Sequence, residues 1–304
     1  MKLHLVDNTT AVSRTVLGFR ARALCLVRAA GLVSLAGLSA LTSRADDWAP
    51  NLTVHATWHD NANNAESSSD QIDSLALGTD ILSSQRYKLG NQDVFQLTGH
   101  FAGEWWPRYA DLLGGAVGAR AAWLHTFGAG NLAPVVSAEI GGDLFESRES
   151  GRRGAAAALT LALRKRFNDQ WRGAITQQFD RRYARAAVFD QEATETTIEL
   201  SYDLTDVARL TLGAWYRDGD VVTYSGNPRG EVAAIASAQR ELDTFGRPMT
   251  AYSVDARTWG AKVSVVRALD ESSAIIASYA WSSTEGKPVQ FMNQRLSIAI
   301  VTQF

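Results

Sequence analysis

The sequence predicts an all-β fold, a transmembrane antiparallel up-and-down β-barrel of about twelve strands, and three observations carry that prediction. Apolar and polar residues alternate with period two in one segment after another. The connections between segments alternate too, mostly longer and more polar after odd-numbered segments and mostly short after even-numbered ones. Charged side chains collect on the face opposite the large apolar ones, which a dry core would not tolerate and a wet lumen would.

The closing stretch shows the pattern most clearly. From Met292 the even positions read Met, Gln, Leu, Ile, Ile, Thr, Phe, and from Asn293 the odd ones read Asn, Arg, Ser, Ala, Val, Gln. One face is greasy and the other small or polar, up to the terminal Phe304.

At the other end, residues 1–45 differ from the rest. Lys2, Arg14, Arg20, Arg22 and Arg28 precede a small-residue apolar run, Ala29 to Leu41, and then Ser43-Arg44-Ala45. Small residues at minus three and minus one predict a signal peptide cleaved after Ala45, with the barrel occupying 46–304. The apolar run is too short for a helical span of about twenty residues. Cys25 is the single cysteine and lies in this leader, so the mature chain has no thiol for a disulfide, metal or nucleophile.

Of 30 Lys+Arg and 32 Asp+Glu, the leader holds six and one, which leaves the mature chain at a net charge of minus seven. No basic face for nucleic acid is indicated. The 46% hydrophobic content excludes a generic disordered chain.

The strands follow in order. The first sets Leu52, Val54, Ala56 and Trp58 against Thr53, His55, Thr57 and His59. After the polar run Asp60 to Gln71, the second carries Leu75, Leu77, Thr79 and Ile81 outward. Leu89 to Gln92 turns into the third, with Phe95, Leu97, Phe101 and Trp105 against Gln96, Thr98, His100 and Glu104. The fourth, about 112–125, opposes Val117, Ala119, Ala121 and Trp123 to Gly118, Arg120 and Ala122.

In the fifth, Val136, Ala138, Ile140 and Leu144 oppose Ser137, Glu139, Gly141 and Asp143. The sixth, with Leu159, Leu161 and Leu163, is alanine-rich and reads as helix on propensity, yet its neighbours on both sides argue for strand. Trp171, Ile175 and Phe179 mark the seventh; Thr196, Ile198, Leu200 and Tyr202 the eighth; Leu210, Leu212, Ala214 and Tyr216 the ninth. A long external loop of about 219–253 follows, in which Glu231 to Leu242 is expected to form a short helix. Two strands at roughly 254–267 and 272–283 and the closing stretch complete twelve.

In hydrocarbon each orphaned backbone group costs several kcal/mol, so lipid-facing strands must pair all the way round. Trp58, Trp105, Trp123, Trp171, Tyr202 and Trp281 are expected in interfacial girdles. The expected lumen-lining charges are Arg120, Glu139, Asp143, Arg164, Arg172, Glu195, Glu199, Arg209, Arg217, Arg257 and Arg295. Across strands seven to nine, Arg172 and Arg182, Glu195 and Glu199, and Arg209 and Arg217 form a ladder of alternating sign that either lines a permeation path or braces the wall.

No catalytic set, cofactor site or metal site emerges. His55 and His59 share a face roughly 13 Å apart at ~3.3 Å per residue, too far for one metal. His100 and His125 have no catalytic partner assignable from sequence. Gly128-Ala129-Gly130 lacks a following lysine-serine pair and reads as a turn, not a phosphate loop. Arg181 to Asp190 and Arg217 to Val222 lie where strands leave the membrane, either as hydrogen-bonded scaffolding or as segments folded inward at the mouth.

Leader, alternating strands, loop parity and the terminal Ser297-Ile298-Ala299-Ile300-Val301-Thr302-Gln303-Phe304 resemble bacterial outer-membrane β-barrel proteins over about 48–304. The resemblance implies a monomer in the cell outer membrane, in contact with its lipid, with Phe304 as the signal read by the barrel-assembly machinery. Trp58-His59-Asp60-Asn61-Ala62-Asn63-Asn64-Ala65 is similar to the strand-one opening of uncharacterised proteobacterial barrels and of the barrel part of surface-lipoprotein export modifiers. The export role is not carried across, because their helical-repeat domain has no counterpart in this sequence. Three functions stay open: a channel for small hydrophilic or charged solutes, a structural or surface-interaction barrel plugged by the 219–253 loop, and a lipid-modifying enzyme.

Overall fold

The computed structural model describes residues 49–304. The expected leader, its cleavage after Ala45, and Cys25 lie outside the described residues. Thirteen strands form one antiparallel sheet: β1 (Ala49–His59), β2 (Ser74–Lys88), β3 (Asp93–Trp105), β4 (Gly114–Thr126), β5 (Val135–Ser147), β6 (Gly154–Arg166), β7 (Trp171–Ala184), β8 (Gln191–Thr205), β9 (Ala208–Ser225), β10 (Ala238–Leu242), β11 (Met249–Ala268), β12 (Ser273–Gly286) and β13 (Val289–Gln303).

Twelve of these make a closed wall. Each of β1 to β8 pairs with its successor, β9 pairs directly with β11, β11 to β13 pair in sequence, and β13 returns to β1. Closure runs from Asn51↔Gln303 to His59↔Arg295, so the alternating terminal strand is the seam of the cylinder. The remaining strand, β10, belongs to the cap described below. The alanine-rich sixth segment is strand throughout, because both of its edges are paired.

Face parity follows the register. Ile140, Leu144, Ile175, Leu212 and Ile298 point outward and are each at least half exposed, the reverse of a soluble core. Trp58, Trp105, Trp123 and Trp171 share that outer face and are exposed, the first two near one rim and the others near the opposite rim. Trp171 packs on Tyr202, and Trp259 on Trp281, at ring-centroid distances of 4.7 and 5.2 Å.

The start of β1 and the C-terminus share one end with the turns 89–92, 127–134, 167–170, 206–207 and 269–272 (the turn end). The connections 60–73, 106–113, 148–153, 185–190 and 226–248 crowd the other (the loop end). Two expectations are corrected here. The last loop-end connection is only 287–288, not long, because β12 and β13 continue pairing to Gly286↔Val289. Within the long connection only Gly230–Ala233 is helical; Ala238–Leu242 is a strand, since the edge of β11 offers it a ladder and tertiary pairing overrides propensity.

Candidate functional site

The inner wall holds the charges. Arg172 on β7 and Arg209 on β9 grip Asp203 on β8 between them, with Arg209 Nε 2.7 Å from Asp203 Oδ1. Arg217 on β9 makes a two-pronged contact with Asp180 on β7, at 3.1 and 3.3 Å. Glu195 stands on the strand between them, directly opposite Arg217. On the other wall, His55 Nδ1 lies 3.5 Å from Asp80 and His100 Nε2 lies 2.7 Å from Asp143. Among the described residues no three His, Cys, Asp or Glu side chains converge as metal ligands.

Such pairs are tolerated because each charge has a counter-charge within reach, and Arg172 and Asp203 also keep 24% and 21% of their side-chain surface exposed. Asp203→Asn is therefore expected to lower stability by about 1–3 kcal/mol, less than the loss for a fully buried pair because these groups are partly wet. Heat-induced loss of the folded electrophoretic form in detergent measures it. An unchanged melting temperature would contradict the role given to Asp203.

Above this lumen, at the loop end, lies an apolar cap. It draws Ile72 from 60–73, Trp106, Tyr109 and Leu112 from 106–113, Val188 and Phe189 from 185–190, and Leu242 and Phe245 from the β10 region. The β9–β11 hairpin contributes Val222, Tyr224, Met249 and Ala251. Phe245 is the keystone: its ring stands edge-on to Tyr109 at 5.3 Å and to Tyr224 at 5.2 Å. Tyr109 follows β3, which lies half-way round the wall from β9, so this contact bridges the mouth.

Polar latches hold the cap in place. Asn64 Nδ2 donates to the Val222 carbonyl at 2.9 Å, and the Gly226 amide donates to Asp70 at 2.8 Å. Arg229 pairs with Glu66 and Glu231, and these two carboxylates push its guanidinium further up. Arg240 on β10 reaches Glu149 at 3.3 Å. The buried Arg152 lies 4.2 Å over the Phe189 ring and donates to the Tyr224 hydroxyl. Glu104 accepts from Trp106 Nε1 at 2.9 Å beneath the cap. A second cluster, with Val232, Tyr252, Val254, Val289 and Phe291, packs the helical turn 230–233 onto the hairpin's other face.

The expected lumen residues divide accordingly. Arg120, Glu139, Asp143, Arg164, Arg172, Glu195, Glu199, Arg209, Arg217 and Arg295 all stand on the inward parity. Arg257 does not: it shares the outer face with Trp259, is 71% exposed and faces Asp218. Its position near the loop end explains how a charge sits on the outer face. Sequence reasoning also left out Asp203 and Lys262, inward residues whose alternation was legible, and the cap aromatics, whose loops carry no periodicity. Of the segments Arg181 to Asp190 and Arg217 to Val222, Val188, Phe189 and Val222 are buried in the apolar cluster.

No protein-family model matches the chain, and no curated protein matches it. Among solved structures, an outer membrane channel from Pseudomonas putida F1 is similar, with a TM-score of 0.56 and 12% identity over 85% of this chain and 95% of that one. The outer membrane phospholipase A of Escherichia coli gives 0.47 and 10% identity over 83% and 89%, and the outer membrane channel DcaP of Acinetobacter baumannii 0.44 and 9% over 85% and 96%; both are too distant to weigh. What the first likeness establishes is the fold, a closed twelve-stranded antiparallel barrel of the kind found in bacterial outer membranes.

Proposed function

We propose that the chain is a bacterial outer-membrane barrel held shut at its external mouth, a plugged barrel through which small hydrophilic solutes pass only when the 226–248 segment withdraws. The observation that carries this reading is the apolar cap, with Phe245 wedged between Tyr109 and Tyr224 across the mouth. The exposed apolar band supports residence in lipid, and the terminal Phe304 supports delivery by the barrel-assembly machinery. Export by the expected leader and a monomeric state belong to the same proposal.

The charged lumen favours a second reading, a solute channel open at rest. Planar-bilayer recording of the refolded protein separates the two. The intact chain is expected to give no steady conductance, and a variant in which 228–246 is replaced by a short turn is expected to conduct. Steady conductance from the intact chain would select the open channel. Silence from both would leave a purely structural barrel.

A further inference from the structure

We propose that the inner wall formed by β11, β12 and β13 carries a binding site for a small oxyanion, centred on Lys262 and Arg295. The inference deepens the outer-membrane reading, since it needs that wall to face a lumen, but it does not depend on whether the mouth is closed.

Register brings the two cations together. Lys262 lies directly opposite Ala280, and Ala280 directly opposite Arg295, so the pair occupies one cross-strand row with a single strand between them. Two strand spacings put their Cα atoms about 10 Å apart, and the small Ala280 leaves the space between them to the two long side chains. Both point inward, since Val263, Val265 and Leu296 beside them are exposed on the outer face.

Their company sets them apart from the other lumen arginines. Arg172, Arg209 and Arg217 each sit in an ion pair. Among the described residues, the side chains of Lys262 and Arg295 make neither a hydrogen bond nor an ion pair. The carboxylates within electrostatic reach are Glu199 for Lys262 and Glu195 for Arg295, and Lys262 also feels the Arg295 charge. Two like charges drawn out of bulk water without a contacting counter-charge are costly, and a visiting anion removes that cost.

Hydrogen-bond donors lie next to them. The next inward row towards the turn end reads Thr57, Ser297, Ser278, Ser264, Thr211 and Ser201, an unbroken cross-strand run of hydroxyls. Thr57 donates to Ser297 at 2.9 Å, and Ser201 and Thr211 are 2.8 Å apart. Ser264, directly beneath the cations, is only 3% exposed and its hydroxyl has no partner. On the loop-end side the Trp215 indole packs close against Gly260, where a Cβ would come within 2.3 Å of it, and so adds an aromatic wall one inward row from Lys262. Two cations, hydroxyl donors and an aromatic wall are the chemistry that recognises a carboxylate or sulfate attached to, or accompanied by, hydroxyl groups.

Calorimetric titration of the full chain, refolded in neutral detergent, tests this with glucuronate, sulfate and glucose as probes. Saturable one-site binding is expected for glucuronate or sulfate and none for glucose; the tighter of the two anions tells an organic from an inorganic source. Lys262→Gln and Arg295→Gln should each weaken binding at least about tenfold, and together abolish it, as expected for lost charge-assisted hydrogen bonds. Glu199→Gln should tighten binding. Arg295→Lys, which keeps the charge, should retain binding and covers the case in which the glutamine variant fails to fold, scored by its heat-modifiable gel mobility. The proposal is overturned if neither anion binds better than glucose, or if the folded double variant binds as well as the parent. Conductance in the intact chain would defeat the closed-mouth reading and leave these results untouched.

Discussion

Phe245→Asp is expected to turn a silent barrel into a conducting one while its wall stays folded. The ring is 5% exposed and contacts aromatic residues from opposite sides of the mouth. Truncating a buried phenylalanine costs about 3–5 kcal/mol. Placing an unpaired carboxylate there costs about the same again unless it moves to water. A penalty on the order of 5 kcal/mol shifts the closed-to-open ratio by between three and four powers of ten, at ~1.4 kcal/mol per decade. Phe245 lies in a connection, outside every wall strand, so no ladder hydrogen bond is lost. Bilayer recording and heat-modifiable mobility read the two halves of the expectation. A folded Phe245→Asp barrel as silent as its parent would remove the cap from the account of closure.

Gly219→Val should have the opposite profile, loss of the folded barrel itself. Gly219 has φ 141°, and a Cβ there would sit 2.2 Å from the Glu192 carbonyl oxygen and 2.6 Å from Ala193 Cα. Both are backbone atoms of the neighbouring strand and cannot turn aside. Here β9 gives up its pairing with β8 and runs on with β11 alone into the cap. A branched side chain at this point costs on the order of 3 kcal/mol or more, in strain and in broken pairing. Gly230→Ala, where the added atom meets open space, serves as control and is expected to stay within about 0.5 kcal/mol. Equal thermal stability of Gly219→Val and the parent would refute the argument.

Most of the wall was legible because its signal is local. Period-two alternation needs only neighbouring residues, so faces, strand number and closure could be read from stretches such as 291–304 and 208–216. The cap was not legible, because Tyr109, Tyr224 and Phe245 meet across 136 positions of sequence with no repeating pattern between them. The hairpin strands β9 and β11 also run further than alternation suggested, to Ser225 and from Met249, so the long connection shrinks to 226–248. The expected ladder of signs named the right strands, but the partners differ. Arg172 takes Asp203 and Arg217 takes Asp180, and side-chain reach made those choices within a register that alternation could not fix. Arg257 went astray because an outward charge near the rim reads in sequence like an inward one.

The short junction at 287–288 leaves a notch in the rim. The wall strand β12 stops opposite Arg257, so the upper edge of β11 from Met249 to Ser253 has no wall neighbour on that side, and β10 fills the place. An uncovered β edge invites any extended peptide to add itself as a strand. If the 226–248 segment closes the pore as proposed, it also shields the lip from adhesion by stray polypeptide, and its withdrawal would expose a sticky seam for as long as the mouth stayed open.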